Sequence, residues 1–96
     1  MRQVWKTELH PGGWQEIESR PIFFDWQSDM DGDKLLVWFE HSDVPPVPHA
    51  RLPVTGPVLV RVYGTGHEIQ EGAKHLMSCS MPPYIWHLYT IERGLL

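Results

Sequence analysis

The chain of 96 residues contains one cysteine, Cys79. A single thiol excludes an intrachain disulfide framework and agrees with a reducing compartment. No apolar run approaches the ~18 residues of a membrane span, and the opening MRQVWKTELH has no apolar stretch behind its first charges. The expectation is a soluble, cytoplasmic protein with no signal peptide and no membrane partner. Positive charge is scarce as well, with Lys+Arg 8 against Asp+Glu 12 and a formal net charge of −4. That balance gives no global attraction to a phosphate backbone, so a DNA or RNA polymer is not expected as a partner.

Chemical signatures are equally sparse. Six histidines are present, but none stands in an HxH, HxxH or HExxH spacing that would set two ligands on one face. DMDGDK, residues 29–34, has its glycine fourth, whereas an EF-hand loop places it sixth and adds a late glutamate. No metal and no cofactor are expected. No serine lies in a nucleophile elbow, and the carboxylates sit mainly in turns where solvation accounts for them. Cys79, in HLMSCSM, alternates with apolar neighbours and reads as inert packing. The chain is therefore not expected to be an enzyme.

A sustained 3.6-residue period is also missing; the apolar residues recur with period two or in short runs, and the chain holds Gly 8 and Pro 9. The pattern predicts an all-β fold with little or no helix: a small antiparallel sandwich or barrel of six to seven strands. Strands are expected near residues 3–9, 14–18, 21–28, 34–42, 57–63, 74–81 and 84–92. Hydrophobic residues make up 42% of the chain, five of them Trp, enough for one packed core and too short for two. Residues 1–96 thus read as a single β domain carrying a proline-rich loop at 43–57. Asp31 and Gly32 suit the positive φ angles of a type I′ hairpin, which would oppose Trp26 to Val37, Phe24 to Phe39 and Asp25 to Trp38. Residues 22–26 place Ile22, Phe24 and Trp26 on one side with Phe23 on the other, and residues 84–89 are apolar on both faces. Apolar surface on two faces of so short a chain predicts a homo-oligomer or another covering partner.

RVYGTGHEI, residues 61–69, is the most distinctive segment. It lacks the third glycine of a dinucleotide fingerprint and the Gly-Lys-Ser/Thr of a phosphate loop. Gly64 and Gly66 nevertheless permit unusual φ and close backbone approach, Thr65 offers a hydroxyl, and His67 a hydrogen bond or a proton. Both a strand-ending turn and a ligand cradle fit these residues. Aromatic and cationic side chains cluster toward strand ends: Trp5, Trp38, Tyr63, Tyr84 and Trp86 with Arg51, Arg61 and Lys74. A small anion bearing a ring requires this mixture, with flat surfaces for stacking and cations for phosphate. Arg61 alternates with Val60 and Val62, so it leaves the face those valines bury.

VWKTEL at the start, RVYGTGHEI in the middle and PPYIWHLYTIE at the end together resemble a family of short phage and prophage proteins. That family shares a Trp-Lys-Tyr opening, an Arg-Ile-x-Gly-Thr-Gly-His segment and a Phe-Val-Trp-His-Leu-Phe close. The matching positions here are Trp5, Lys6, Arg61, Gly64, Thr65, Gly66, His67, Trp86 and His87. Thr7 stands where the family tends to have tyrosine, and the proline-rich segment before Arg61 is an insertion. The resemblance carries no activity with it. It implies a phage-borne setting in the cytoplasm of an infected bacterium, and by analogy with other small β oligomers of phages a sponge for a nucleotide-derived immune signal. The ligand-binding candidates under that expectation are Arg61, Tyr63, Gly64, Thr65, Gly66, His67, Trp86, Trp5 and Arg51. The alternatives are a protein–protein interaction module or inhibitor, and a small virion component.

Overall fold

The computed structural model of the chain describes residues 1–42 and 57–96. Arg51 and most of the proline-rich loop expected at 43–57 therefore lie outside the described residues. Seven strands follow one another: β1 (Arg2–Leu9), β2 (Gln15–Ile17), β3 (Pro21–Asp29), β4 (Gly32–Ser42), β5 (Val58–Gly64), β6 (Lys74–Met81) and β7 (Tyr84–Ile91), before a short 3₁₀ turn at Arg93–Leu95. Each begins and ends within two residues of its expected place. They form two antiparallel sheets, of order β1-β4-β3 and β2-β5-β7-β6. The fold is all-β, as the period-two pattern predicted.

One core joins the sheets. Leu9, Phe24, Leu35 and Val37 from the first meet Ile17, Val60, Val62, Cys79 and Leu88 from the second. Val37, Val60 and Leu88 are completely inaccessible to solvent. Along one margin the sheets are also tied by a hydrogen bond, in which Trp26 Nε1 donates to the Ser80 carbonyl at 2.9 Å. Trp26 and Ser80 thereby fix the β3 edge of one sheet against the β6 edge of the other.

The β3–β4 hairpin corrects the expected register. Asp29 pairs with Gly32, so Met30 and Asp31 form the loop, Trp26 opposes Leu35, Phe24 opposes Val37 and Asp25 opposes Leu36. A type I′ turn at Asp31–Gly32 would need positive φ at both residues. Only Gly32, at φ 109°, has it, and no described non-glycine residue does. The two-residue shift preserves side-chain parity, so Phe24 still faces the core. Asp29 Oδ1 accepts the Asp31 amide at 2.8 Å, and Lys34 Nζ lies 3.0 Å from Asp29 Oδ2. The ammonium holds the Asp29 carboxyl below its ordinary range, and Asp29 raises the Lys34 amine in return.

A bulge between Pro21 and Phe23 overturns a second expectation. The extra residue breaks the alternation, and Ile22, expected beside Phe24 and Trp26, is left 53% exposed. Phe23 lies against Trp38 on the outer face of this sheet, with ring centroids 5.2 Å apart.

Because Leu88 belongs to the solvent-free centre of the core, Leu88→Ala is expected to lower stability by about 2–5 kcal/mol. Met30→Ala, at a fully exposed hairpin tip, is expected to change it by less than about 0.5 kcal/mol. Urea denaturation of the two variants measures both.

Candidate functional site

The β5–β7 ladder stops at Gly64 opposite Trp86. Strand β7 begins two residues earlier, and its Tyr84 and Ile85 pair only with Met81 and Ser80 of β6. Two rungs are thus missing on the β5 side, and a step opens at the end of the sheet. The chain leaves β5 there through a tight turn. His67 N–H donates to the Gly64 carbonyl at 3.1 Å, and Gly66 takes φ 90° at the third position, the signature of a type II turn, which favours glycine at that place. The Gly64 N–H in turn donates to His67 Nδ1 at 3.0 Å. A Cβ on Gly64 would lie 3.1 Å from the His67 ring, so any larger residue there would push the imidazole away from the strand end by a few tenths of an ångström.

Gly64, Thr65 and His67 form one wall of a cleft of about 400 Å³, and Pro83, Tyr84, Ile85 and Trp86 complete it. Pro82 and Pro83, joined by a cis peptide, make the β6–β7 turn. Tyr84 and Trp86 alternate onto one side of β7, with ring centroids 5.9 Å apart and planes inclined by 37°. Their rings offer apolar faces, Thr65 offers a hydroxyl, and His67 offers an imidazole. Because His67 Nδ1 accepts a backbone proton, the ring is the neutral tautomer carrying its proton on Nε2. No lysine or arginine is among the lining residues.

A polar row adjoins the cleft on the outer face of the same sheet. Thr65 Oγ1 lies 3.3 Å from His87 Nε2, His87 Nδ1 lies 2.8 Å from Ser78 Oγ, and Ser78 Oγ lies 2.8 Å from His75 Nε2. Ser78 and His87 are directly paired across β6 and β7. Among the described residues no group of three metal-ligating side chains converges.

The structure places the expected site residues in three groups. Gly64, Thr65, His67 and Trp86 line the cleft, and Gly66 shapes the turn beside it. Tyr63 is buried at 2% exposure, with Trp14 and Tyr89 rings set edgewise to it and its hydroxyl accepting the Gln70 amide at 3.2 Å. It supports the site from beneath and presents no ring face to a ligand. The Arg61 guanidinium lies 4.9 Å from the centre of the Tyr63 ring, and its Nε is buried without a partner among the described residues. Arg61 is a packing residue here and does not line the cleft. Trp5 belongs to the other sheet, stacked on His41 at 3.6 Å. It shares a rung with Phe39, four residues along β1 from the Leu9–Leu35 rung that contains Trp26.

Pro83, Ile85, Ser78 and His75 were not anticipated as site residues. The Pro82–Pro83 pair was the available signal. Read as a two-residue turn, it sets Ser78 opposite His87 by counting outward.

Fold and site together define a small two-sheet β protein with an aromatic cleft at one sheet end. The chain belongs to the DUF7352 family, described as a domain of unknown function, whose family model matches residues 1–94. Comparison with curated proteins and with solved structures gives no match.

Cys79, beside the cleft on the core side of β6, is buried at 8% exposure. Burial, with a smaller contribution from the Asp25 charge, pushes its thiol up from 9.0 to about 11. Native Cys79 is expected to react with a thiol reagent far more slowly than the urea-unfolded chain at pH 8. The unfolded chain loses this proton first as pH rises, so stability should fall from pH 9 to about 11 through this group. Equal labelling rates in the native and unfolded protein would contradict the burial.

Proposed function

We propose that the protein is a phage-encoded, non-enzymatic binding protein that sequesters a small nucleotide-derived immune signal in the host cytoplasm by seating its planar ring in the cleft. The observation that supports this reading is the pairing of Tyr84 and Trp86 rings with Thr65 and His67 around one 400 Å³ space. Aromatic faces bind a heterocycle through stacking worth roughly 1–3 kcal/mol per base, and a hydroxyl and an imidazole N–H orient its edge. Sequestration needs tight binding with no chemical step, and His67 spends one ring nitrogen on the backbone of its own turn. The expected grip of Arg61 on a phosphate is replaced in this proposal by a grip on the ring, since Arg61 packs on Tyr63.

A second reading follows from a different surface. Val4 and Phe23 are each more than half exposed on the outer face of the first sheet, beside Trp38. Such a patch suits a protein partner or a second copy of the chain, and it favours the interaction-module alternative.

Two substitutions separate the readings. Tyr84 is 57% exposed, so Tyr84→Ala should leave the melting temperature within about 2 °C while weakening ligand binding roughly fivefold to a hundredfold. Phe23→Asp should leave ligand binding intact. Calorimetric titration with a panel of nucleosides and signalling nucleotides, followed by recovery of chemically unchanged ligand after denaturation, measures the outcome. No binding by any member of the panel, with partner capture lost in Phe23→Asp, would give the interaction reading the lead.

A further inference from the structure

The polar row beside the cleft has a direction, and the direction decides what it can recognise. Thr65 Oγ1 donates its one proton to the Ile85 carbonyl at 3.4 Å. It therefore has only lone pairs for His87, so His87 Nε2 carries the proton of the 3.3 Å contact. A neutral His87 then has a bare Nδ1, which accepts the Ser78 hydroxyl proton at 2.8 Å. Ser78 Oγ, its proton spent, accepts from His75 Nε2–H at 2.8 Å, and His75 keeps a bare Nδ1. With neutral rings this is the one assignment that satisfies all four contacts.

The consequence is that every proton of the row is already spent, three within it and that of Thr65 on the Ile85 carbonyl. What Thr65, Ser78 and His75 still have to offer are lone pairs on Thr65 Oγ1, Ser78 Oγ and His75 Nδ1. A row of free acceptors welcomes O–H and N–H donors and repels groups that can only accept, such as phosphate oxygens. Thr65 belongs to both the cleft and the row, and Ile85 in the cleft wall precedes His87 by two residues on the same face of β7. Successive same-face positions on a strand are about 6.6 Å apart, so a group bonded to a ring in the cleft reaches the row.

Building on the ring-binding reading above, we propose that the row ends in a hydroxyl-reading subsite at Thr65: the base of a nucleoside fills the cleft, and one hydroxyl of its ribose 2′,3′-diol donates to the free lone pair of Thr65 Oγ1. The site thereby selects a ribonucleoside moiety whose diol is unmodified. A phosphate on either hydroxyl of the diol brings acceptor oxygens against the Thr65 lone pair.

Calorimetric titration with the four ribonucleosides identifies the preferred base, and that ribonucleoside is then compared with its 2′,3′-dideoxy and 3′-phosphorylated forms. The dideoxy and 3′-phosphorylated probes should each bind about three- to tenfold more weakly than the parent, the loss of one ordinary hydrogen bond. Thr65 is exposed, so Thr65→Val folds normally; it should weaken the parent ribonucleoside and leave the dideoxy form unchanged. Equal affinity for the parent and dideoxy forms would overturn the subsite while leaving the ring reading intact. Tighter binding of the 3′-phosphorylated form, lost in His87→Ala, would overturn it in favour of a phosphate site. Failure of all four ribonucleosides and their phosphates to bind would overturn the ring reading, and the subsite with it.

Discussion

The reciprocal hydrogen bonds between Gly64 and His67 decide where the second sheet ends. His67 N–H closes the turn on the Gly64 carbonyl while the Gly64 N–H is capped by His67 Nδ1. The last residue of β5 thus satisfies both of its backbone groups without another strand partner. A strand whose end is satisfied in this way need not be extended, and β7 runs on past it unopposed. The cleft is the space that this early ending leaves. Glycine at 64 and 66 is favoured by different causes, the first by close contact with the imidazole and the second by its positive φ.

The walls of the cleft are held by the core beneath them. Trp86 packs against the buried cluster, and Cys79 and Leu88 belong to it. Ser80, opposite Ile85, anchors Trp26 of the other sheet. In the proposed binding mode, a ligand ring between Tyr84, Trp86 and the turn meets a surface whose inner half is already ordered. Preformed surfaces lose less entropy on binding than loops that must first be organised. The proposed sequestration would depend on such affinity, because it gains nothing from turnover.

Strand positions were legible in the chain because alternation and turn residues agree there, as at Val60, Arg61 and Val62, where the arginine does leave the face that the valines bury. Register was less legible. Choosing between Asp31–Gly32 and Met30–Asp31 as the hairpin loop depends on backbone φ, which Gly32 satisfies from either position in sequence terms. The Ile22 bulge has no pattern of its own, since Ile-Phe-Phe alternates equally well with and without an extra residue. The segment around Gly64 was recognised as unusual, and three of its candidates, Gly64, Thr65 and His67, line the cleft. The packing of Arg61 on Tyr63 was not legible, because an arginine over a tyrosine satisfies the same sequence pattern as an arginine facing a phosphate. The polar row escaped notice because Ser78 and His87 are nine residues apart and meet only when Pro82 and Pro83 are counted as a turn.

The central claim is that the step at the end of β5 is a binding site and not only a structural turn. Amide chemical-shift mapping during titration with a ribonucleoside tests it residue by residue. The account predicts shifts at residues 64–67, 84–86, Ser78 and His87, with the amides of Val4, Lys6, Phe23 and Trp38 unmoved. Shifts confined to that second group, or none at any concentration up to the ligand's solubility, would contradict it.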